Sequence, residues 1–210
     1  MSTSTLLETR DLGCIRNDRQ LFERLNFALK AGEMLVVEGP NGCGKTSLLR
    51  ILTGLRLADG GEILWRGEAI DRLAGDYYEQ VNYVGHHDGS KHELSCLENL
   101  RLARAMGVPS ELDLDDVLEQ VNLYAYGESE VGSLSAGQKR RLALARLLAT
   151  DSLLWILDEP FTSLDKASME MFSILFEQHL QREGVIVITS HHDISLPTMA
   201  VQRLDLGKPS

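Results

Sequence analysis

Residues 39–46 read Gly39-Pro40-Asn41-Gly42-Cys43-Gly44-Lys45-Thr46, a Gly-x-x-x-x-Gly-Lys-Thr spacing. A backbone that turns this tightly can aim successive N–H groups at phosphate oxygens. Gly39, Gly42 and Gly44 supply the unusual dihedrals and allow the close approach. Lys45 places a point charge near the β- and γ-phosphates, and Thr46 offers a hydroxyl to Mg²⁺. Pro40, Asn41 and Cys43 complete the loop as nucleotide-binding positions.

Such a loop needs a buried strand before it and a helix after it. Met34-Leu35-Val36-Val37 is a short apolar run that ends at the loop and reads as a parallel strand. From Thr46 to Leu57 apolar residues recur at helical spacing (Leu48, Leu49, Ile51, Leu52, Leu55), interrupted mildly at Gly54. That helix would add the positive end of its dipole to the phosphate site.

Outward from this core the pattern divides. Residues 6–30 and 62–65 alternate and are punctuated by Gly60-Gly61 and Arg66-Gly67, as antiparallel strands of a side sheet would be. Val81 to Val84 is another short strand. Residues 94–123 turn helical, with a break at Gly107-Val108-Pro109, and read as an inserted lobe. Ser135 to Thr150 is a strong helix. Leu153–Leu157 and Val185–Thr189 are two more buried strands. The expected fold is α/β: a mostly parallel phosphate-loop core, an antiparallel β side sheet and an inserted α-helical subdomain.

The chain of 210 residues is one domain by length and carries a formal net charge of −10. That charge argues against nucleic-acid binding, which usually needs a basic face. Lys139, Arg140, Arg141 and Arg146 form a local basic run, read as a solvated stripe on one helix. Three scattered cysteines, with no Cys-x-x-Cys spacing, suggest neither a disulfide framework nor a zinc ribbon, and a reducing compartment is expected. No secretory signal and no bilayer-length apolar run is visible, so a membrane role would pass through partners.

The run Leu153-Leu154-Trp155-Ile156-Leu157-Asp158-Glu159 is an apolar strand that ends in two carboxylates. Ligands of open α/β sheets bind where strands end. Asp158 is placed to hold Mg²⁺, directly or through water, and Glu159 to act as general base on the attacking water.

Leu134-Ser135-Ala136-Gly137-Gln138, followed by Ile156 to Pro160, resembles the ATP-binding cassette family, and the resemblance covers nearly the whole chain. It implies that Ser135, Gly137 and Gln138 act in trans on ATP held by a second copy. It implies that Asp165, within Ser163-Leu164-Asp165, contacts that copy, and that His191 is the catalytic switch histidine near the γ-phosphate. ATP and Mg²⁺ would be the cofactors, and two shared sites imply a homodimer closed on an ATP sandwich. The domain would run over 1–210. Core and side sheet would take about 1–92 and 147–210, and the helical subdomain 93–146, ending in the signature helix.

Two departures from the family stand out. His86 occupies the place of the family's glutamine after the strand Val81–Val84, where it is a further candidate for Mg²⁺ through water. No aromatic ring lies near residues 13–18 to stack on adenine; Arg16 sits there instead, as a candidate nucleotide contact with weak base discrimination. His86-His87 and His191-His192 invite a zinc reading, which the ATPase roles of one histidine in each pair displace. Cys43, at a helix N-terminus, is read first as a small loop-filling residue.

Arg16 to Phe22, Tyr83 to His87 and Leu97 to Leu100 further resemble the short export cassettes of cytochrome c maturation. That resemblance implies an ATPase, peripheral on the cytoplasmic face of a bacterial inner membrane, that powers haem export or haem-chaperone release. Its partners would be small integral membrane subunits (CcmB/CcmC-like), which alone would contact haem. Another small exporter's ATPase, or a soluble cassette acting on nucleic acid or ribosomes, stays open at this point.

Overall fold

The computed structural model describes residues 4–190 and 200–207. Strands β1 (Thr5–Arg16) and β2 (Arg19–Lys30) form a hairpin whose two-residue tip, Asn17-Asp18, has φ of 51° and 58°. Tips with positive φ at both positions match the right-handed twist of the strands they join. β3 (Glu33–Glu38) runs into the glycine loop, and α1 (Lys45–Leu52) leaves it. β4 (Gly60–Trp65) and β5 (Glu68–Ala69) make a second hairpin, and the short helices α2 (Ile70–Leu73) and α3 (Gly75–Tyr78) lead to β6 (Val81–Val84).

The helical lobe holds α4 (Cys96–Met106), α5 (Leu114–Gln120) and α6 (Ala136–Ala149). Ser95 opens α4 with a capping box: its hydroxyl accepts from Glu98 N at 3.2 Å, and Glu98 Oε2 accepts from Ser95 N at 2.8 Å. Such a cap stabilises a helix by about 1 kcal/mol. The break read at Gly107-Val108-Pro109 is where α4 stops. There Asp151 N donates to Val108 O at 2.7 Å and Pro109 bridges to Thr150, which ties the lobe to the end of α6. β7 (Leu154–Asp158), α7 (Lys166–Gln181), β8 (Val185–Thr189) and β9 (Ala200–Asp205) complete the described chain.

The strands form two sheets, a four-stranded antiparallel one in the order β2-β1-β4-β5 and a five-stranded parallel one in the order β6-β7-β8-β3-β9. The central strands β3, β7 and β8 are apolar on both faces because both are covered. Met34, Val36, Trp155, Leu157, Ile186 and Ile188 pack toward α6, α7 and the lobe. Leu35, Val37, Leu154, Ile156, Val185 and Val187 pack toward α1 and the antiparallel sheet. Parallel register sets Val37 beside Thr189 and Thr189 beside Asp158, so one edge of the sheet gathers the ends of β3, β8 and β7.

The fold class is as expected, but three details differ. The helix expected over 46–57 ends at Leu52: Gly54, at φ 71°, turns the chain, and Gly54 N donates back to Ile51 O at 3.0 Å. Leu55 and Leu57 therefore do not extend its buried face; they are 68% and 80% exposed. Helix α7, unassigned from the sequence, is a sixteen-residue element capped by Asp165. Edge strand β9 was likewise unassigned; its mixed, half-exposed pattern carries no buried-strand signal.

Candidate nucleotide-binding site

The glycine loop crosses from β3 to α1 with Gly39, Gly42 and Gly44 at φ of 137°, 82° and 117°, a region that side-chain-bearing residues avoid. Gly44 is also the N-cap of α1, and a Cβ there would lie 3.1 Å from Leu21 Cβ, so the hairpin β1–β2 presses on the loop from outside. Lys45 begins α1, is 9% exposed, and its Nζ donates to Gly39 O at 2.7 Å. The ammonium is thus held against the loop that it serves. Cys43 Sγ packs toward Gly39, where an added Cβ would come within 2.8 Å of it. Gly207, beyond β9, closes on Pro40 from the other side.

A cavity of about 320 Å³ opens over this loop, and Arg16, Asn41, Lys45, Thr46, Asp158 and Glu159 all line it. Two segments of sequence more than a hundred residues apart meet there. Thr46 Oγ1 donates to Asp158 Oδ2 at 2.9 Å, and Thr189 Oγ1 donates to Asp158 Oδ1 at 2.7 Å. Asp158 is 2% exposed, and both of its carboxylate oxygens accept a hydroxyl. Glu159 follows at φ 49°, a left-handed conformation, with its N–H directed to Thr189 Oγ1 at 3.0 Å.

A second cavity of about 430 Å³ adjoins the first and shares Thr46 and Asp158 with it; His86, Tyr83 and Arg50 line its far side. The three candidate metal positions, Thr46, Asp158 and His86, therefore border one space. A hydroxyl and a carboxylate are hard oxygen donors, which suits Mg²⁺. Burial and the Asp158 charge push the Tyr83 hydroxyl above its ordinary pKa.

The signature residues lie apart from both cavities. Ser135 is exposed and caps α6 in a capping box: its Oγ accepts from Gln138 N at 3.2 Å, and Gln138 Oε1 accepts from Ser135 N at 2.8 Å. Gly137 lies under the turn before α7, where an added Cβ would sit 3.0 Å from Ser163 O. Asp165 is exposed, and its Oδ1 accepts from Ser168 N at 2.8 Å. His191, with His192, lies outside the described residues.

The solvated basic stripe is overturned. Arg140 is 3% exposed, and its guanidinium reaches Gly85, Asp88, Asp158, Glu159 and Pro160. Arg141 donates to Val121 O and Asn122 O at 3.0 and 2.9 Å, and Lys139 to Gly132 O at 3.1 Å. Arg146 lies near Tyr83 O and Gly89 O, each at 3.4 Å, and burial pulls its pKa down. Arg140 is buried, and Lys139, Arg141 and Arg146, each partly exposed, hold backbone carbonyls of neighbouring segments. Thr189 was also missed, although a hydroxyl ending the apolar run Val185–Ile188 was a visible signal.

The "ABC transporter" family model matches residues 22–162. A protein of Nitrosospira multiformis described as "Cytochrome c biogenesis ATP-binding export protein CcmA" is 46% identical over 205 residues, covering 95% of this chain and 98% of its own. A protein of Aliivibrio fischeri with the same description is 41% identical over 204 residues, covering 97% and 100%. Among solved structures, an "ATP binding subunit of ABC transporter" superposes with a TM-score of 0.86 at 24% identity, covering 97% of this chain and 87% of its own. A putative ABC transporter ATP-binding protein of Pyrococcus furiosus gives 0.80 at 24% identity, covering 94% and 96%. These structural likenesses bear on the fold alone.

Proposed function

The chain belongs to the ABC transporter family of ATP-binding proteins, and we propose that it is the ATP-hydrolysing subunit of a membrane export complex serving haem handling in c-type cytochrome biogenesis. One observation carries the hydrolytic part: Lys45 and Thr46 share a cavity with Asp158 and Glu159. The loop from Gly39 to Thr46 binds the phosphates through its N–H groups, with Lys45 neutralising charge at the β- and γ-positions. Thr46 and Asp158 would hold Mg²⁺, with His86 reaching it through water. The ion, when bound, offsets phosphate charge. Glu159 takes a proton from the attacking water as its oxygen bonds to the γ-phosphorus and ADP leaves. His191 assists at the γ-phosphate, and Arg16 lies against the nucleotide beyond the loop.

Ser135, Gly137 and Gln138 complete the site of a second copy, which Asp165 also contacts, giving a two-fold dimer closed on ATP. Exposure of Ser135 at the N-terminus of α6 supports this role, because the first N–H groups of a helix bind anions. Among the described residues no helix is long and apolar enough to cross a membrane. The export descriptions of the relatives support docking on small integral membrane subunits (CcmB/CcmC-like) at the cytoplasmic face of a bacterial inner membrane. Those subunits, not this chain, would contact haem.

The test is ATP hydrolysis by the chain, alone and co-expressed with its membrane subunits, against Glu159→Gln. Turnover that disappears in the variant while ATP binding persists supports the reading. Equal turnover by both proteins removes Glu159 from its role, and absence of hydrolysis from the wild-type complex ends the proposal.

A further inference from the structure

We propose that Arg140 is a positioning residue: its guanidinium fixes the turn that carries Glu159 and ties it to the loop after β6. The proposal rests on the reading of Glu159 as general base. Arg140 sits in the second turn of α6, five residues after Ser135. Nε donates to Pro160 O at 3.0 Å, Nη2 to Asp158 O at 2.9 Å and to Glu159 O at 2.8 Å, and Nη1 to Gly85 O at 2.9 Å and Asp88 Oδ1 at 3.3 Å. A guanidinium has five N–H groups, and five acceptors surround this one.

The acceptors come from two segments with different duties. Asp158, Glu159 and Pro160 form the turn that ends β7. Gly85 and Asp88 flank His86 and His87 in the loop leading to the lobe. Arg140 itself belongs to the lobe, on the helix that opens with the signature residues. One side chain therefore joins three segments.

The backbone of Glu159 explains why such a clamp is needed. A non-glycine residue at φ 49° persists only where its surroundings over-determine it. Arg140 supplies three bonds to the carbonyls on and around that residue, and Thr189 holds its N–H from the other side. The direction of the Glu159 side chain follows from that backbone. Among the described residues Asp88 is the one carboxylate bonded to the guanidinium, and it lies on the loop rather than on the turn. Burial costs the cation hydration, and Asp88 opposes that cost, so displacement of the loop weakens the grip on Glu159. A lysine at 140 would keep a charge but could not span both sides, because its donors radiate from one nitrogen.

Arg140→Lys tests this in the full chain, with ATP bound and with the membrane subunits present. The expected result is a retained fold, an ATP dissociation constant within about threefold of wild type, and kcat lower by about a hundredfold, as a displaced reacting group produces. Amide exchange should quicken at residues 85–89 and 159–163 together. Asp88→Asn keeps the acceptor and removes the charge, and should shift both readouts the same way by less. Wild-type turnover in Arg140→Lys, or equal loss of ATP affinity and kcat, overturns the proposal. So does exchange that changes in α6 alone. If the wild-type complex itself does not hydrolyse ATP, the reading of Glu159 has failed, and the exchange data alone decide whether the clamp exists.

Discussion

Thr189 donates its hydroxyl to Asp158 at 2.7 Å from the neighbouring strand, across a register in which the two residues are direct partners. Asp158 therefore reaches the nucleotide cavity already aimed, with Thr46 on its second oxygen. Thr189→Val keeps the shape of the side chain and removes the donor. A buried acceptor that loses its partner costs about 1–3 kcal/mol. For a chain of this size that is a fall in Tm of roughly 2–12 °C. Calorimetry of the variant checks it, and an unchanged Tm would mean that Asp158 is held by other means.

The cysteines differ in access. Cys14 and Cys96 are fully buried, whereas Cys43 is partly exposed in the glycine loop. A small alkylating reagent should give a single adduct on the folded chain, at Cys43, and ATP should slow its formation. Mass spectrometry of digested protein reads both. Labelling that ATP does not slow, or an alkylated chain that still binds ATP with unchanged affinity, contradicts the placement of Cys43 against the nucleotide.

The site's core was legible because its chemistry is local in sequence. Strand, glycine loop and helix are contiguous from Met34 to Leu52, and the carboxylates Asp158 and Glu159 end their own strand. The side sheet was legible from alternation and glycine turns. Arg140 was not, because a basic residue on a helix looks the same whether it meets water or carbonyls. Only the approach of β7 and the 85–88 loop makes it a buried clamp. The end of α1 was misread because Leu55 and Leu57 continue an apolar rhythm beyond Gly54, where the backbone has already turned. Helix α7 did carry a signal, Asp165 followed by Met169, Phe172, Phe176 and Leu180 at helical intervals.

Arg16 ends β1 and lines the phosphate cavity, and among the described residues no aromatic ring lines it. Stacking of a base on an aromatic side chain is worth about 1–3 kcal/mol, and a guanidinium plane stacks without reading the base edge. GTP should therefore bind within about tenfold of ATP, a difference near the lower end of what that stacking supplies. Arg16→Ala should weaken both nucleotides alike, and Arg16→Tyr should strengthen both. Equilibrium binding of fluorescent analogues gives the ratios. GTP binding weaker by orders of magnitude would show that another group reads adenine.

His179 stacks on Trp155 with ring centroids 3.7 Å apart and planes 11° from parallel, and its Nε2–H donates to Leu153 O at 3.2 Å. Burial drives its pKa down from 6.5 to about 4, against the opposing pull of the Leu153 carbonyl. The native state thus binds the neutral ring, while the unfolded chain takes up a proton near pH 6.5. Between those two values the unfolded state holds more protons, so stability rises with pH. The contribution is complete above about pH 6.5 and disappears as pH falls toward 4, with a ceiling of about 3 kcal/mol. Trp155 lies on β7, two residues after the Leu153 carbonyl and three before Asp158, so protonation would loosen the strand that carries the site's carboxylates. His179→Phe keeps an aromatic stack and has no proton to gain. Denaturant melts from pH 8 to pH 5 should show wild type losing more stability than this variant, and parallel losses would place the pH-sensitive group elsewhere.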